Sequence, residues 1–172
     1  MDPFATLGIA RTFEVDLAAT EKTHRELSRA LHPDKYVAAP PSERRAALEK
    51  AVQVNESWRT VRDPIKRAEA LFSLAGIAVG ETSEPKASPD FLMEVMEQRE
   101  ALADARTQRD AAAVTRLAKE IEARASGVER ALGAGFAKGE ELRALLPLLG
   151  ELRYCRRFLE EVSAIEDEAE AS

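Results

Sequence analysis

The chain has 172 residues, of which 45% are hydrophobic, 33% charged and 5% aromatic, and its formal net charge is −6. This acidic balance argues against general nucleic-acid binding, which needs a basic surface for phosphate contacts. Strong helix formers dominate, and no segment alternates apolar and polar residues as a half-buried strand does. We therefore predict a soluble all-α protein.

The sequence also argues against a membrane protein, a secreted protein and a metal-binding protein. No apolar run approaches the roughly 20 residues needed to span a bilayer, and the first ten residues lack a secretory-signal pattern. A cytoplasmic protein without a membrane partner is expected. One cysteine, Cys155, and two histidines, His24 and His32, are too few for a Cys/His metal site or a four-thiolate cluster. We expect no metal and no cofactor.

The first predicted elements are a short helical segment over residues 2–9 and a longer helix capped by Asp16. The longer helix has one face at 3–4 residue spacing, made of Leu17, Thr20, His24, Leu27 and Leu31. Pro33 is expected to end it, so residues 32–41 are predicted as a loop.

Ser42 is the predicted N-cap of the next helix. The inward face of that helix is predicted to consist of Ala47, Ala51, Val54, Trp58 and Val61. Two such helices in succession predict an antiparallel hairpin. Asp63 as N-cap, Pro64 as first residue and Gly76 as stop predict one further helix.

Residues 77–87 are rich in turn-forming residues and are predicted as a linker. Ser88-Pro89 predicts the start of a helix that runs to about residue 107. A sixth helix is expected to end near Gly133 and Gly135. A seventh is expected over roughly residues 140–165, with a kink or a late start caused by Pro147. These three helices predict an antiparallel bundle over residues 88–166, followed by a fraying acidic tail at 167–172.

The tripeptide His32-Pro33-Asp34, here called the HPD loop, predicts a rigid turn that presents a carboxylate to an arginine of a partner. Lys22, Arg25 and Arg29, the basic face, lie on one side of the preceding helix. The alternative is a solvated charged face that ends in an ordinary helix stop, and the tripeptide alone favours that alternative. Catalysis is less well supported, because His32 has no nucleophile at motif spacing.

The fifth helix has apolar residues on two sides. At 100° per residue, Leu92, Met93 and Met96, the outward stripe, lie within about 100° of one another. Another three residues lie opposite, at about 260–300° from Leu92: Phe91, Val95 and Leu102. The outward stripe is bordered by an acidic rim: Glu97, Glu100 and Asp104.

A bundle helix needs one apolar face, so the outward stripe predicts a protein-docking surface. Tyr154 on the seventh helix is expected to join it. A wider core, with both faces buried against the first half of the chain, is the alternative that geometry leaves open. The acidic rim favours docking, because carboxylates beside a buried interface would lose hydration at a high cost in free energy.

These residues resemble the HscB family, J-domain co-chaperones of bacterial iron–sulfur cluster assembly, over essentially residues 1–165. The resemblance rests on HPDK at 32–35, VNESWRTVRDPIKRAEALFSL at 54–74, FLMExxExRExL at 91–102 and LRY at 152–154. It implies an L-shaped, two-domain, all-α protein. The J domain would cover residues 1–76 and a scaffold-binding three-helix domain residues 88–166.

The resemblance also implies two partners. One is a DnaK-class chaperone, HscA, whose ATP hydrolysis would be triggered by contacts from His32, Pro33, Asp34, Lys35, Lys22, Arg25 and Arg29. The other is the iron–sulfur scaffold protein IscU, bound through Leu92, Met93, Met96, Glu97, Glu100, Asp104 and Tyr154. We expect no enzymatic activity of its own. The alternatives are a J-domain co-chaperone for a different client and a helical interaction module without a chaperone link.

Overall fold

The computed structural model describes residues 1–80, 88–139 and 141–171. These residues form seven α-helices and two 3-10 helices and contain no strand, which confirms the all-α class. By its contacts the chain divides into two compact units, Met1–Val79 and Gly80–Ser172. Each unit is described by itself.

The first unit is a helical hairpin with short flanking helices, as predicted. Its helices are α1 (Pro3–Leu7), α2 (Leu17–Ala30), α3 (Pro41–Arg62) and α4 (Pro64–Leu74). Helices α2 and α3 form the hairpin, and α1 also packs on α3. Phe4, Leu7, Val61 and Phe72 are at most 1% exposed, so the core lies mainly among α1, α3 and α4.

Helix α2 is less buried than its apolar spacing predicts. Thr20 is its one buried residue, whereas Leu17 is 41% exposed. His24 is half-buried and stacks on Trp58, with ring centroids 5.6 Å apart. The face predicted for α2 therefore points toward α3 but is only partly covered.

Side-chain capping sets most helix starts in this unit. Oδ1 of Asp16 accepts from the N–H of Ala19 at 2.9 Å, and Oδ1 of Asp63 accepts from the N–H of Lys66 at 3.0 Å, so both predicted caps are confirmed. Asp63 also ends α3, which leaves no loop between α3 and α4. The cap predicted at Ser42 is wrong, because α3 already begins at Pro41, and a first-position proline has no N–H to satisfy.

The second unit is the predicted three-helix bundle. Its helices are α5 (Pro89–Gln108), α6 (Ala111–Lys138) and α7 (Leu146–Glu170), with a 3-10 helix at Leu142–Leu145. One core cluster joins all three helices and consists of Leu102, Ala105, Val114, Ile121, Tyr154, Cys155, Phe158 and Val162. The predicted Ser88 cap is confirmed, since its Oγ accepts from the N–H of Phe91 at 3.2 Å.

Helix α6 does not end at Gly133 or Gly135, contrary to the prediction. It continues to Lys138 and ends at Gly139, whose φ of 67° is left-handed. Gly133 and Gly135 are buried inside the helix. A Cβ on Gly135 would overlap Cδ2 of Leu145, so this glycine serves close packing rather than termination.

Helix α7 begins late, at Leu146, with Pro147 in its first turn, which is one of the two predicted outcomes. It continues to Glu170, so most of the segment predicted as a fraying tail is helical. Within the predicted linker, residues 81–87 lie outside the described residues, as does Ser172.

Candidate functional site

The HPD loop is a short 3-10 helix at Pro33–Tyr36 rather than an irregular loop. His32 caps it: Nδ1 accepts from the N–H of Asp34 at 3.4 Å and lies 3.4 Å from Oδ2 of Asp34. The first contact needs an unprotonated Nδ1, and the second becomes an ion pair only when the ring is protonated. The Asp34 side chain is 86% exposed, so its carboxylate is available to a partner.

The basic face lies on the exposed side of α2. Lys22, Arg25 and Arg29 line a shallow surface depression together with Glu21 and Glu26. Nη2 of Arg25 is 2.6 Å from Oε1 of Glu21, so one of the three cations is already paired within the helix. Lys35 in the adjacent 3-10 helix is also exposed.

The outward stripe of α5 is exposed, as the rotation argument predicts. Leu92 is 50% exposed, Met93 61% and Met96 70%. On the opposite side Leu102 is 1% exposed, and Phe91 and Val95 are half-buried against the core cluster. Methionine is unbranched and polarisable, which suits a surface that adapts to a partner.

The acidic rim borders this stripe with exposed carboxylates: Glu97, Glu100 and Asp104. None of the three is paired with a cation in the described part of the chain. An exposed apolar patch with a polar rim is typical of a protein-binding surface.

Tyr154 does not join the outward stripe, and that expectation is wrong. The residue is 5% exposed, and its hydroxyl donates to Oε1 of Gln98 at 2.8 Å. Its ring contacts Phe91 edge-on, with centroids 5.7 Å apart. Burial raises the pKa of this phenol. Helix α7 packs against both α5 and α6, so a wider arc of its surface is covered than its leucines indicate.

Sequence reasoning did not find Arg124 of α6, which contacts both neighbouring helices. Its Nη1 is 2.6 Å from Oε2 of Glu94 on α5, and its Nη2 is 3.1 Å from Oε2 of Glu151 on α7. Its guanidinium carbon lies 5.2 Å from the centroid of the Phe91 ring. Burial lowers the pKa of Arg124, but hydrogen bonds to the two glutamates outweigh burial, and the pKa is raised. No sequence spacing indicates a contact between three separate helices.

The described residues offer neither a metal-binding cluster nor a membrane-spanning helix. Among the described residues, no group of three or more His, Cys, Asp or Glu side chains is arranged to hold a metal ion. Within the same part of the chain, no helix combines the length and the apolar character needed to cross a membrane.

Comparison with known proteins identifies the family. A Shewanella oneidensis protein described as a co-chaperone protein HscB homolog is 33% identical over 170 residues, which cover 97% of this chain and 98% of that one. The chain belongs to the HscB co-chaperone family. A Burkholderia multivorans HscB homolog is 35% identical over 153 residues, covering 88% of this chain and 86% of that one.

Two further comparisons agree with membership in the HscB family. The family model described as the HSCB C-terminal oligomerisation domain matches residues 87–163. The solved structure of HscB from Vibrio cholerae superposes with a TM-score of 0.86 at 30% identity, covering 98% of this chain and 99% of that one. Human HscB, at 24% identity and a TM-score of 0.88, shares the fold; the match covers 96% of this chain and 82% of that one.

Proposed function

We propose that this HscB-family protein binds the iron–sulfur scaffold protein IscU through α5. It then delivers the scaffold to a DnaK-class chaperone, HscA, and stimulates the ATPase of that chaperone to promote cluster transfer. The observation that carries the proposal is the exposed outward stripe with its unpaired acidic rim on a chain of this family. The protein works in the cytoplasm by contact alone and needs no cofactor.

The scaffold half of the proposal rests on the chemistry of the α5 surface. Leu92, Met93 and Met96 offer apolar area that bundle packing does not use. Their carboxylate border favours a partner whose own apolar patch is bordered by lysine or arginine. Complementary charge of this kind raises the association rate and fixes the orientation of docking.

The chaperone half rests on the HPD loop and the basic face. The exposed Asp34 carboxylate is held on a turn whose direction is fixed by Pro33 and by the contact from the Asp34 N–H to His32. An arginine of the chaperone could make a charge-assisted bidentate contact with this carboxylate. Lys22, Arg29 and Lys35 provide positive charge beside it for an acidic partner surface.

A chain that binds both proteins raises their effective concentration relative to each other. The chaperone then acts on a scaffold that is already delivered to it, and the co-chaperone needs no chemical step. A J-domain co-chaperone for a different client would share the chaperone half and lack the scaffold half. The two halves therefore need separate experiments.

The scaffold half is tested by calorimetric titration of the full chain with the IscU-type scaffold of its own organism. We expect one-to-one binding with a Kd in the micromolar range or tighter. The triple variant Leu92→Ala, Met93→Ala, Met96→Ala should weaken binding by at least about 2 kcal/mol, the scale of an interface hot spot. The matched control is Leu48→Ala, Val52→Ala, which truncates exposed aliphatic residues of the first unit, 57% and 47% exposed.

An unchanged affinity of the triple variant, with helicity preserved, would reject α5 as the scaffold surface. If the wild-type chain shows no scaffold binding at all, it is a co-chaperone for a different client.

The chaperone half is tested by steady-state ATPase stimulation of HscA. Asp34→Asn should abolish stimulation and leave thermal stability unchanged, because the side chain is almost fully exposed. Glu14→Gln, an exposed carboxyl outside the HPD loop and the basic face, is the control. If Asp34→Asn stimulates the ATPase as fully as the wild-type chain does, the protein is a helical interaction module without this chaperone link.

A further inference from the structure

Helix α5 is anchored differently in its two halves. Its fully buried residues, Leu102 and Ala105, both lie in the second half. The first half has no buried residue. Its half-buried Phe91 and Val95 pack against the core cluster, and Gln98 accepts the hydrogen bond from Tyr154. This less anchored half carries the entire outward stripe.

Polar contacts compensate for the missing burial. Glu94 follows Met93 directly and precedes Met96 by two residues, so it belongs to the same turn as the outward stripe. Arg124 pairs with Glu94 at 2.6 Å and at the same time with Glu151 of α7 at 3.1 Å. The guanidinium also lies over the ring of Phe91, at 5.2 Å. One side chain of α6 thereby connects the first half of α5 to both other helices.

We propose that Arg124 is a positioning residue for partner docking. It holds the first half of α5 at the rotation that keeps Leu92, Met93 and Met96 outward and Phe91 inward. This inference rests on the proposed function only in naming the partner that the stripe receives. The positioning of α5 by Arg124 is a property of the free protein and does not depend on which partner binds.

The side-chain chemistry favours arginine for this task. A planar guanidinium can donate to two carboxylates from different edges and still stack on an aromatic face. A lysine ammonium has no planar fork and no stacking face. The Arg124 side chain is 27% exposed and that of Glu151 26%, so their pair is screened by salt less than a fully exposed pair.

The chain offers a matched control at the other end of α5. Nη2 of Arg106 lies 2.9 Å and 2.8 Å from the two carboxylate oxygens of Glu168 on α7. This pair also ties α5 to a neighbouring helix, but it lies beside the buried half and more than two turns from the outward stripe. Its side chains are 54% and 60% exposed.

The test compares Arg124→Met with Arg106→Met in the full chain. Hydrogen–deuterium exchange of the free protein, followed by mass spectrometry, reports local opening of α5. We expect Arg124→Met to speed exchange of peptides covering residues 91–98 by about tenfold or more, and to weaken scaffold binding by a similar factor. Arg106→Met should change neither. Arg124→Lys should change both the exchange rate and the scaffold affinity less than Arg124→Met does.

Equal acceleration by Arg124→Met and Arg106→Met, or none by Arg124→Met, would overturn the proposal. Where Arg124→Met fails to fold, Glu94→Gln removes only the α5 partner and leaves Arg124 paired with Glu151. It should speed exchange at residues 91–98 without a matching loss of thermal stability, and unchanged exchange in this variant would equally reject the proposal. If exchange responds as expected but the wild-type chain binds no scaffold, then the proposed function fails and the positioning of α5 stands.

Discussion

The hydroxyl of Tyr154 donates a 2.8 Å hydrogen bond to Oε1 of Gln98, which joins α7 to α5 inside the second unit. The same ring packs edge-on against Phe91 and tilted against Phe158, with centroids 5.7 and 6.0 Å apart. Tyr154 is therefore a buried part of the structure that supports the outward stripe.

Tyr154→Phe removes this hydroxyl and leaves the Gln98 oxygen without its donor. Because an intramolecular hydrogen bond contributes about 1 kcal/mol net, we expect a loss of about 1 kcal/mol in the free energy of unfolding of the second unit. Denaturant titration followed by circular dichroism measures it. Tyr36→Phe is the matched control, since the Tyr36 hydroxyl lies 3.5 Å from the carbonyl oxygen of Ala30, at the limit of hydrogen bonding. A loss for Tyr36→Phe as large as that for Tyr154→Phe would contradict this account.

Gly135→Ala should destabilise the second unit by about 1–3 kcal/mol, the usual cost of overpacking. The added methyl would overlap Cδ2 of Leu145 and lie 3.0 Å from its Cδ1, and Leu145 is only 2% exposed. Gly127→Ala is the control within the same helix, because its methyl would meet nothing closer than Nη2 of Arg130 at 4.0 Å. That variant should gain about 0.5–1 kcal/mol from helix propensity. The two glycines should thus change the midpoint of thermal unfolding in opposite directions, and a shift in the same direction would refute the packing argument.

Cys155 should resist alkylation in the native protein. The side chain is 0% exposed, and burial raises the pKa of the thiol, so both access and the thiolate fraction are low. Mass spectrometry after iodoacetamide treatment at pH 8 should show almost no adduct in buffer. One adduct per chain should form in denaturant, since Cys155 is the single cysteine. Rapid native labelling would show that the core around α7 opens readily.

The second unit should lose stability at alkaline pH. The pKa values of Cys155 and Tyr154 are both raised by burial above their ordinary values of 9.0 and 10.0. The unfolded chain then releases these protons first, so the stabilisation is complete below about pH 9 and is lost as the pH rises further. Unfolding free energies at pH 7, 9 and 10.5 measure the decline. The double variant Cys155→Ala, Tyr154→Phe should show a shallower decline, and an unchanged slope would exclude these groups as its cause.

Local chemistry in the sequence predicted the helix starts well. A cap such as Asp16, Asp63 or Ser88 acts on an N–H only a few residues away, so its pattern is visible in the chain. The all-α class and the outward stripe were also predictable, since both follow from helical periodicity. The cap predicted at Ser42 was wrong because α3 begins at Pro41, after Pro40, without a side-chain cap.

Contacts between helices explain the remaining differences. Gly135 resembles a helix stop in sequence, but its missing Cβ is required by Leu145 from a later segment. Tyr154 is buried in a core cluster of three helices and donates to Gln98, a partner 56 positions away. Arg124 connects three helices, and no spacing within one helix reports such an arrangement. The candidate surface was therefore predictable from the sequence, whereas the residues that support it were not.

The junction at Asp63 limits how this sequence can change in length. The residue closes α3 and caps α4, so the two helices share a single connecting position. One inserted residue would rotate α4 by about 100° about its axis and turn Ala68, Leu71 and Phe72 away from their neighbours. Insertions and deletions should accumulate between Tyr36 and Pro41 instead, where the chain is exposed for several residues. During evolution this unit can therefore gain residues in the segment that connects α2 to α3, but not at the junction of α3 and α4.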